Sequence, residues 1–212
     1  MKLYSTNNTN TITDFKDAVF NSMPQDKGLY MPLTINRLPD DFIGNLDKYT
    51  LPEIAFTVAK NILQDAIPLA ELKALVYDAV NFAAPVVELD DNVRVLELFH
   101  GPSLAFKDFG ARFLAACMSR LRAPGQRPLN ILVATSGDTG GAVAAAFHRL
   151  AGVAVSVLFP KGLVSPTQEH QLTCWGDNVQ SFAVRGTFDD CQRMVKSAFM
   201  DARLNQRFDL SS

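Results

Sequence analysis

The chain has 212 residues, 48% of them hydrophobic and 20% charged, with a formal net charge of -2. That length suits one ordinary domain, or one domain with a smaller companion. The balanced charge lacks the basic excess of a nucleic-acid module, and no run of about eighteen apolar residues is present to span a bilayer as a helix.

Residues 1–92 are expected to form a mixed, mostly helical unit with no assigned chemistry. Ile12, Phe15, Val19 and Phe20 recur at helical spacing. A turn-rich link follows through Met23-Pro24, Lys27-Gly28 and Met31-Pro32. Residues 51–63 and 69–82 then give two amphipathic helices, separated by Pro68. From about residue 93 the pattern changes to alternating strands and helices. Strands are expected at 93–99, 129–134, 153–159 and 179–184, and helices at 109–121, 141–150, 166–173 and 188–200. Alternation with near-continuous apolar strands predicts an α/β fold. The expected form is an open, mostly parallel sheet with flanking helices over residues 93–212, preceded by a small mainly helical N-terminal domain. Ligands of such sheets bind outside the carboxyl ends of the strands, where two unusual loops are expected.

The first loop is His100-Gly101-Pro102-Ser103-Leu104-Ala105-Phe106-Lys107-Asp108. Gly101-Pro102 forces a turn, and a helix is expected to begin near Lys107. A cation there sits at the positive end of the helix dipole, which disfavours it by roughly 0.3–1 kcal/mol. Phe106 and Phe109 make a dry setting the expectation, so dipole and desolvation both favour the neutral amine that Schiff-base chemistry uses. The plain alternative is a surface lysine paired with Asp108.

The second loop, Thr135-Ser136-Gly137-Asp138-Thr139-Gly140-Gly141, joins a buried strand to an Ala-rich helix. Ser136, Asp138 and Thr139 are all capable of capping that helix. The glycines allow a tight turn that exposes N–H groups to an anion. No Gly-Lys-Ser/Thr follows, and the spacing is not a dinucleotide fingerprint. A simple helix cap explains the segment equally well. Cys117, Cys174 and Cys191 stand far apart with no CxxC spacing, and His100, His148 and His170 are scattered. Neither a disulfide framework nor a metal site is expected. Residues 1–14 lack the pattern of a secretory leader, so the expected location is cytoplasmic.

Together these segments resemble the threonine synthase family of fold-type II pyridoxal-phosphate enzymes. Glu97-Leu98-Phe99-His100-Gly101-Pro102-Ser103-Leu104-Ala105-Phe106-Lys107-Asp108 resembles that family's cofactor-lysine motif, with Ser103 where Thr is usual. Thr135-Ser136-Gly137-Asp138-Thr139-Gly140 resembles its second signature. Phe159-Pro160-Lys161-Gly162 with Ser165-Pro166-Thr167-Gln168 resembles a third segment, and the opening Met1-Lys2-Leu3-Tyr4-Ser5-Thr6 fits the longer microbial forms. The resemblance implies that Lys107 holds pyridoxal 5'-phosphate and moves protons at the substrate. It implies Asp138 near the cofactor's 3'-oxygen, and Ser103, Ser136 and Thr139 as substrate-binding residues. Lys161 is a weaker candidate, more simply a solvated turn residue. The implied reaction converts O-phosphohomoserine and water to threonine and phosphate. Alternatives are another fold-type II lyase (a phospholyase or a dehydratase) and a non-catalytic form that keeps the fold. Asp138, where relatives outside the long synthases usually carry Asn, speaks against the dehydratase. The family continues for roughly as long again, with its glycine-rich cofactor-phosphate loop and its pyridine-nitrogen partner in that later half. The 212 residues alone are therefore expected to bind the cofactor weakly and to lack synthase activity.

Overall fold

In the computed structural model, which describes residues 1–123 and 125–212, the chain falls into two compact units. The first comprises Met1–Ala83 with Ala116–Leu121, and the second comprises Ala84–Ala115 with Arg122–Ser212.

The first unit opens with three short antiparallel strands in the order β2-β1-β3: β1 (Lys2–Ser5), β2 (Ile12–Asp14) and β3 (Tyr30–Pro32). Strands of three or four residues carry too few positions to display alternation, so this sheet was not expected. It also moves Ile12 out of the first helix and into β2. That helix, α1 (Phe15–Asn21), starts where the Asp14 carboxylate accepts a hydrogen bond from the Asp17 N–H at 2.9 Å. The helix α2 (Asp40–Gly44) and a 3-10 turn lead to α3 (Leu51–Leu63) and α4 (Leu69–Ala79). Glu53 starts α3 by accepting from the Thr50 N–H at 2.8 Å and from its hydroxyl at 2.7 Å. Leu72, Leu75, Val76 and Ala79 form the buried stripe of α4, at the three-and-four spacing of a core-facing helix.

The second unit begins with an antiparallel hairpin of β4 (Val86–Asp90) and β5 (Val93–Leu96). Residues 93–99 were expected to supply a strand of the parallel sheet. They do not: β5 is shorter and, among the described residues, pairs only with β4. Asp90 accepts from the N–H groups of Asn92 and Val93 at 2.9 and 3.0 Å, which reverses the chain. The turn signal Asp90-Asp91-Asn92 lay between two apolar runs and marked a hairpin.

After α5 (Lys107–Leu121) come β6 (Leu129–Ala134), α6 (Asp138–Phe147), β7 (Val153–Pro160), α7 (Pro166–Thr173), β8 (Val179–Val184), α8 (Phe188–Met200), α9 (Ala202–Arg207) and β9 (Asp209–Ser211). The four strands form one parallel sheet in the order β8-β7-β6-β9. This is the open parallel sheet with flanking helices that the alternation predicted. Ile131, Val155, Val157 and Phe159 line its buried positions, with Phe147 from α6 and Leu172 from α7. Starting at β6, the chain steps outward to β7 and β8, then returns past β6 to β9. With right-handed crossovers, that reversal assigns α6 and α7 to one face and α8 and α9 to the other. The switch point lies between β6 and β9, and the loop leaving the carboxyl end of β6 is Thr135–Gly137. Among the described residues, no helix is long and apolar enough to cross a membrane.

Candidate active site

Lys107 opens α5, as its place after Gly101-Pro102 suggested. The loop before it is held by Asp108, which is completely buried. Asp108 Oδ2 accepts from the Ser103 N–H at 2.9 Å. Gly101 passes so close that a Cβ there would fall 2.4 Å from the same oxygen, which explains the need for glycine. The Gly101 carbonyl accepts from the Leu104 N–H at 3.1 Å, with Leu104 in the left-handed region at φ 59°. The pairing of Lys107 with Asp108, the plain alternative, is absent because Asp108 turns inward to its own loop. Asp108 Oδ1 and the Ser103 hydroxyl, both buried, have no hydrogen-bond partner among the described residues.

The Lys107 amine instead lies 4.0 Å from Asp138 Oδ2, with side-chain exposures of 32% and 52%. The amine also sits 4.3 Å from the centre of the Phe106 ring. That ring is itself 60% exposed, so the dry aromatic setting expected around Lys107 is not formed. At the chain end of a strand-to-helix loop, one ring can cover only one side of a long side chain.

The second loop is organised by a residue given no role from sequence. Ser136, Asp138 and Thr139 were the expected caps, but Thr135 does that work. Its hydroxyl accepts from the N–H groups of Gly137 at 3.0 Å and Gly140 at 2.9 Å, and donates to the Gly137 carbonyl at 3.0 Å. Thr135 is 1% exposed, whereas Ser136 and Thr139 are exposed. Gly137 adopts φ 147°, a conformation that disfavours any side chain. Asp138 Oδ1 accepts from Gln168 Nε2 at 2.8 Å. Ser103 approaches the start of α6, its Cβ 3.9 Å from where a Gly141 Cβ would stand. The structure thus brings Ser103, Lys107 and Asp138 to one place, with Ser136 and Thr139 on the loop beside them. Lys161 is exposed in the turn after β7, where its N–H donates to the Val184 carbonyl at 2.8 Å. Asp108, Thr135, Gln168 and Gln171 were missed as supports. Only Gln168 left a readable signal, the Ser165-x-x-Gln168 capping box.

Residues 83–207, more than half of the chain, match the family model described as "Pyridoxal-phosphate dependent enzyme". The chain belongs to that family of pyridoxal-phosphate-dependent enzymes. Residues 2–80 match a second model, "Threonine synthase N terminus". Along its whole length the chain is similar to the N-terminal half of threonine synthases. It is 40% identical over 212 residues to the threonine synthase of Haemophilus influenzae, covering 100% of this chain and 49% of that protein. It is also 40% identical over 215 residues to the threonine synthase of Escherichia coli K12, with the same coverage. The crystal structure of threonine synthase from Escherichia coli superposes with a TM-score of 0.91 at 39% identity, covering 100% of this chain and 49% of that one. A structure of PLP-bound threonine synthase from Brucella melitensis superposes with a TM-score of 0.90 at 36% identity, over 100% and 47% of the two chains. The chain spans about half the length of the curated relatives it matches.

Proposed function

We propose that the chain carries the lysine-bearing part of a threonine synthase. The observation that supports this most is the meeting of Lys107 and Asp138, from two separate loops, at 4.0 Å. A primary amine that is one-third exposed beside a carboxylate suits pyridoxal 5'-phosphate, which needs a lysine for attachment and polar partners around its ring. The buried Ser103 hydroxyl, with no hydrogen-bond partner among the described residues, adds a donor on the same loop as Lys107. The division of labour runs from residues 1–92, with no chemistry, to residues 93–212, the first part of the cofactor-binding region.

Pyridoxal phosphate, when bound, supplies an electron sink for carbanion chemistry. Lys107 would hold it and would then serve as the base and acid that moves protons at the substrate Cα and Cβ. Asp138 would be the carboxylate on the side of the cofactor's 3'-oxygen. The hydroxyls of Ser136 and Thr139, with those backbone N–H groups of their loop that Thr135 does not take, would hold the substrate carboxylate. Ser103 contacts substrate from the lysine loop. The substrate is O-phosphohomoserine, a phosphate ester whose Cγ–oxygen bond breaks to release phosphate, and water adds at Cβ to give threonine. The setting is the cytoplasm. The 212 residues hold no glycine-rich loop after Gly141 that could cradle the cofactor phosphate. Weak cofactor binding and no synthase turnover by this chain alone follow from that.

Reductive trapping tests the assignment. The chain is incubated with pyridoxal phosphate, reduced with borohydride and digested. The phosphopyridoxyl label should concentrate on Lys107 and vanish from that peptide in Lys107→Ala. Label spread evenly over the exposed lysines refutes the lysine assignment. Turnover of O-phosphohomoserine by the purified chain refutes its inactivity.

A further inference from the structure

Resting on the reading of Lys107 and Asp138 above, we propose that Gln168 is a positioning residue for that pair. Its amide nitrogen holds the Asp138 carboxylate turned towards Lys107, while its amide oxygen closes the cap of α7. The two ends of one side chain do different jobs. Gln168 Oε1 accepts from the Ser165 N–H at 3.4 Å and from the Ser165 hydroxyl at 3.1 Å, and the Gln168 N–H donates back to Ser165 Oγ at 3.2 Å. Gln168 Nε2 donates to Asp138 Oδ1 at 2.8 Å. The other carboxylate oxygen, Oδ2, is the one that faces Lys107.

A capping box needs only an acceptor at this position, and Glu serves there as well as Gln. In the first turn of a helix Glu also gains from the dipole. The cap therefore does not account for an amide. The donor to Asp138 does, because only the amide has an N–H to give. The backbone makes room for it: a Cβ on Gly137 would fall 2.4 Å from Gln168 Nε2 and 2.5 Å from its Cδ. Asp138 is half exposed in the first turn of α6, where a free carboxylate would sample several rotamers. One hydrogen bond from a side chain anchored at its own far end selects one of them. One turn along α7, Gln171 Nε2 reaches the Ser103 carbonyl at 3.4 Å. The same face of α7 thus touches both loops of the site.

The decisive variant is Gln168→Glu, which keeps the cap acceptor and removes the donor. It should stay folded, with a melting temperature within a few degrees of the parent chain. Three-bond NMR couplings then follow the χ1 rotamer of Asp138. The parent should show one rotamer and Gln168→Glu averaged couplings, since the anchoring donor is lost and a like charge is added. In the same variant, the borohydride-trapped label on Lys107 should fall several-fold relative to Lys161. In Asp138→Ala, the Gln168 side-chain amide protons should shift from their parent positions. Asp138 couplings alike in parent and Gln168→Glu, an unchanged Lys107 label, or Gln168 amide protons unmoved by Asp138→Ala overturns the proposal. A parent chain whose Lys107 takes no more label than Lys161 sinks the cofactor reading instead. The Asp138 couplings then decide the role of Gln168 alone.

Discussion

Replacing Thr135 by valine keeps the side-chain shape and removes one hydroxyl. In the folded chain that hydroxyl satisfies the N–H groups of Gly137 and Gly140 and itself donates to the Gly137 carbonyl. All three partners are buried with it, so water does not replace the lost contacts. A buried donor left unpaired costs about 1–3 kcal/mol, so two donors put the expected loss at about 2–6 kcal/mol. Whole-domain stability is of the order of 5–15 kcal/mol, so this substitution removes a large fraction of it. Thr135→Ser keeps the hydroxyl and loses only a methyl group, for about 1 kcal/mol. Urea unfolding followed by the fluorescence of Trp175, the single tryptophan, measures both. Its indole N–H is bonded to the Gln171 carbonyl at 2.6 Å, so it reports on α7 in the same unit. If valine is tolerated as well as or better than serine, the hydroxyl does not organise the loop and the account of the second loop fails.

Adjacent glycines of α6 should respond with opposite signs. Gly140→Ala places a Cβ 2.5 Å from Thr135 Cγ2 and 2.8 Å from Leu172 Cδ2, so a loss of about 1–3 kcal/mol is expected from overpacking. Gly141→Ala meets nothing nearer than 3.9 Å and should gain up to about 1 kcal/mol from helix propensity; urea midpoints compare the two. Asp177 accepts from Arg149 at 2.7 Å, and that bond foremost, with the Arg149 charge and then His148, holds its carboxyl below the usual aspartate range. A carboxyl lowered on folding stabilises above its unfolded value of about 3.9, and this is lost as pH falls through the lower folded value. Asp177→Asn should therefore melt lower than the parent at pH 7 and level with it at pH 2. Burial pushes the Cys117 thiol up to about 12, and burial foremost, with the neighbouring Asp190 charge, raises Cys191. At pH 8 a thiol reagent should titrate the exposed Cys174 quickly and the other two only after unfolding.

Periodicity made the longer elements readable. The helices 166–173 and 188–200 and the strands 129–134 and 179–184 stand where their apolar spacing put them. Signals confined to three or four residues were not readable: β1, β2, β3 and β9 are set by partners distant in sequence. The strand at 93–99 was misassigned because its apolar run does not say which neighbour it will pair with, and a two-residue turn decided in favour of β4.

The sequence by itself determined the class of the protein and the identities of its chemical side chains. An amine after Gly101-Pro102 and a carboxylate after Ser136-Gly137 are properties of local chain order, visible without coordinates. Tertiary structure decided what those groups meet. Lys107 faces Asp138 and not its neighbour Asp108, because β6 and α6 carry the second loop to the start of α5 while Asp108 is consumed by the backbone of its own loop. Gln168 showed its capping box in the sequence but not its second role, since its bond to Asp138 exists only once the parallel sheet has set α6 beside α7; Thr135 bonds within its own loop, and only its burial marks it out from the other hydroxyls there.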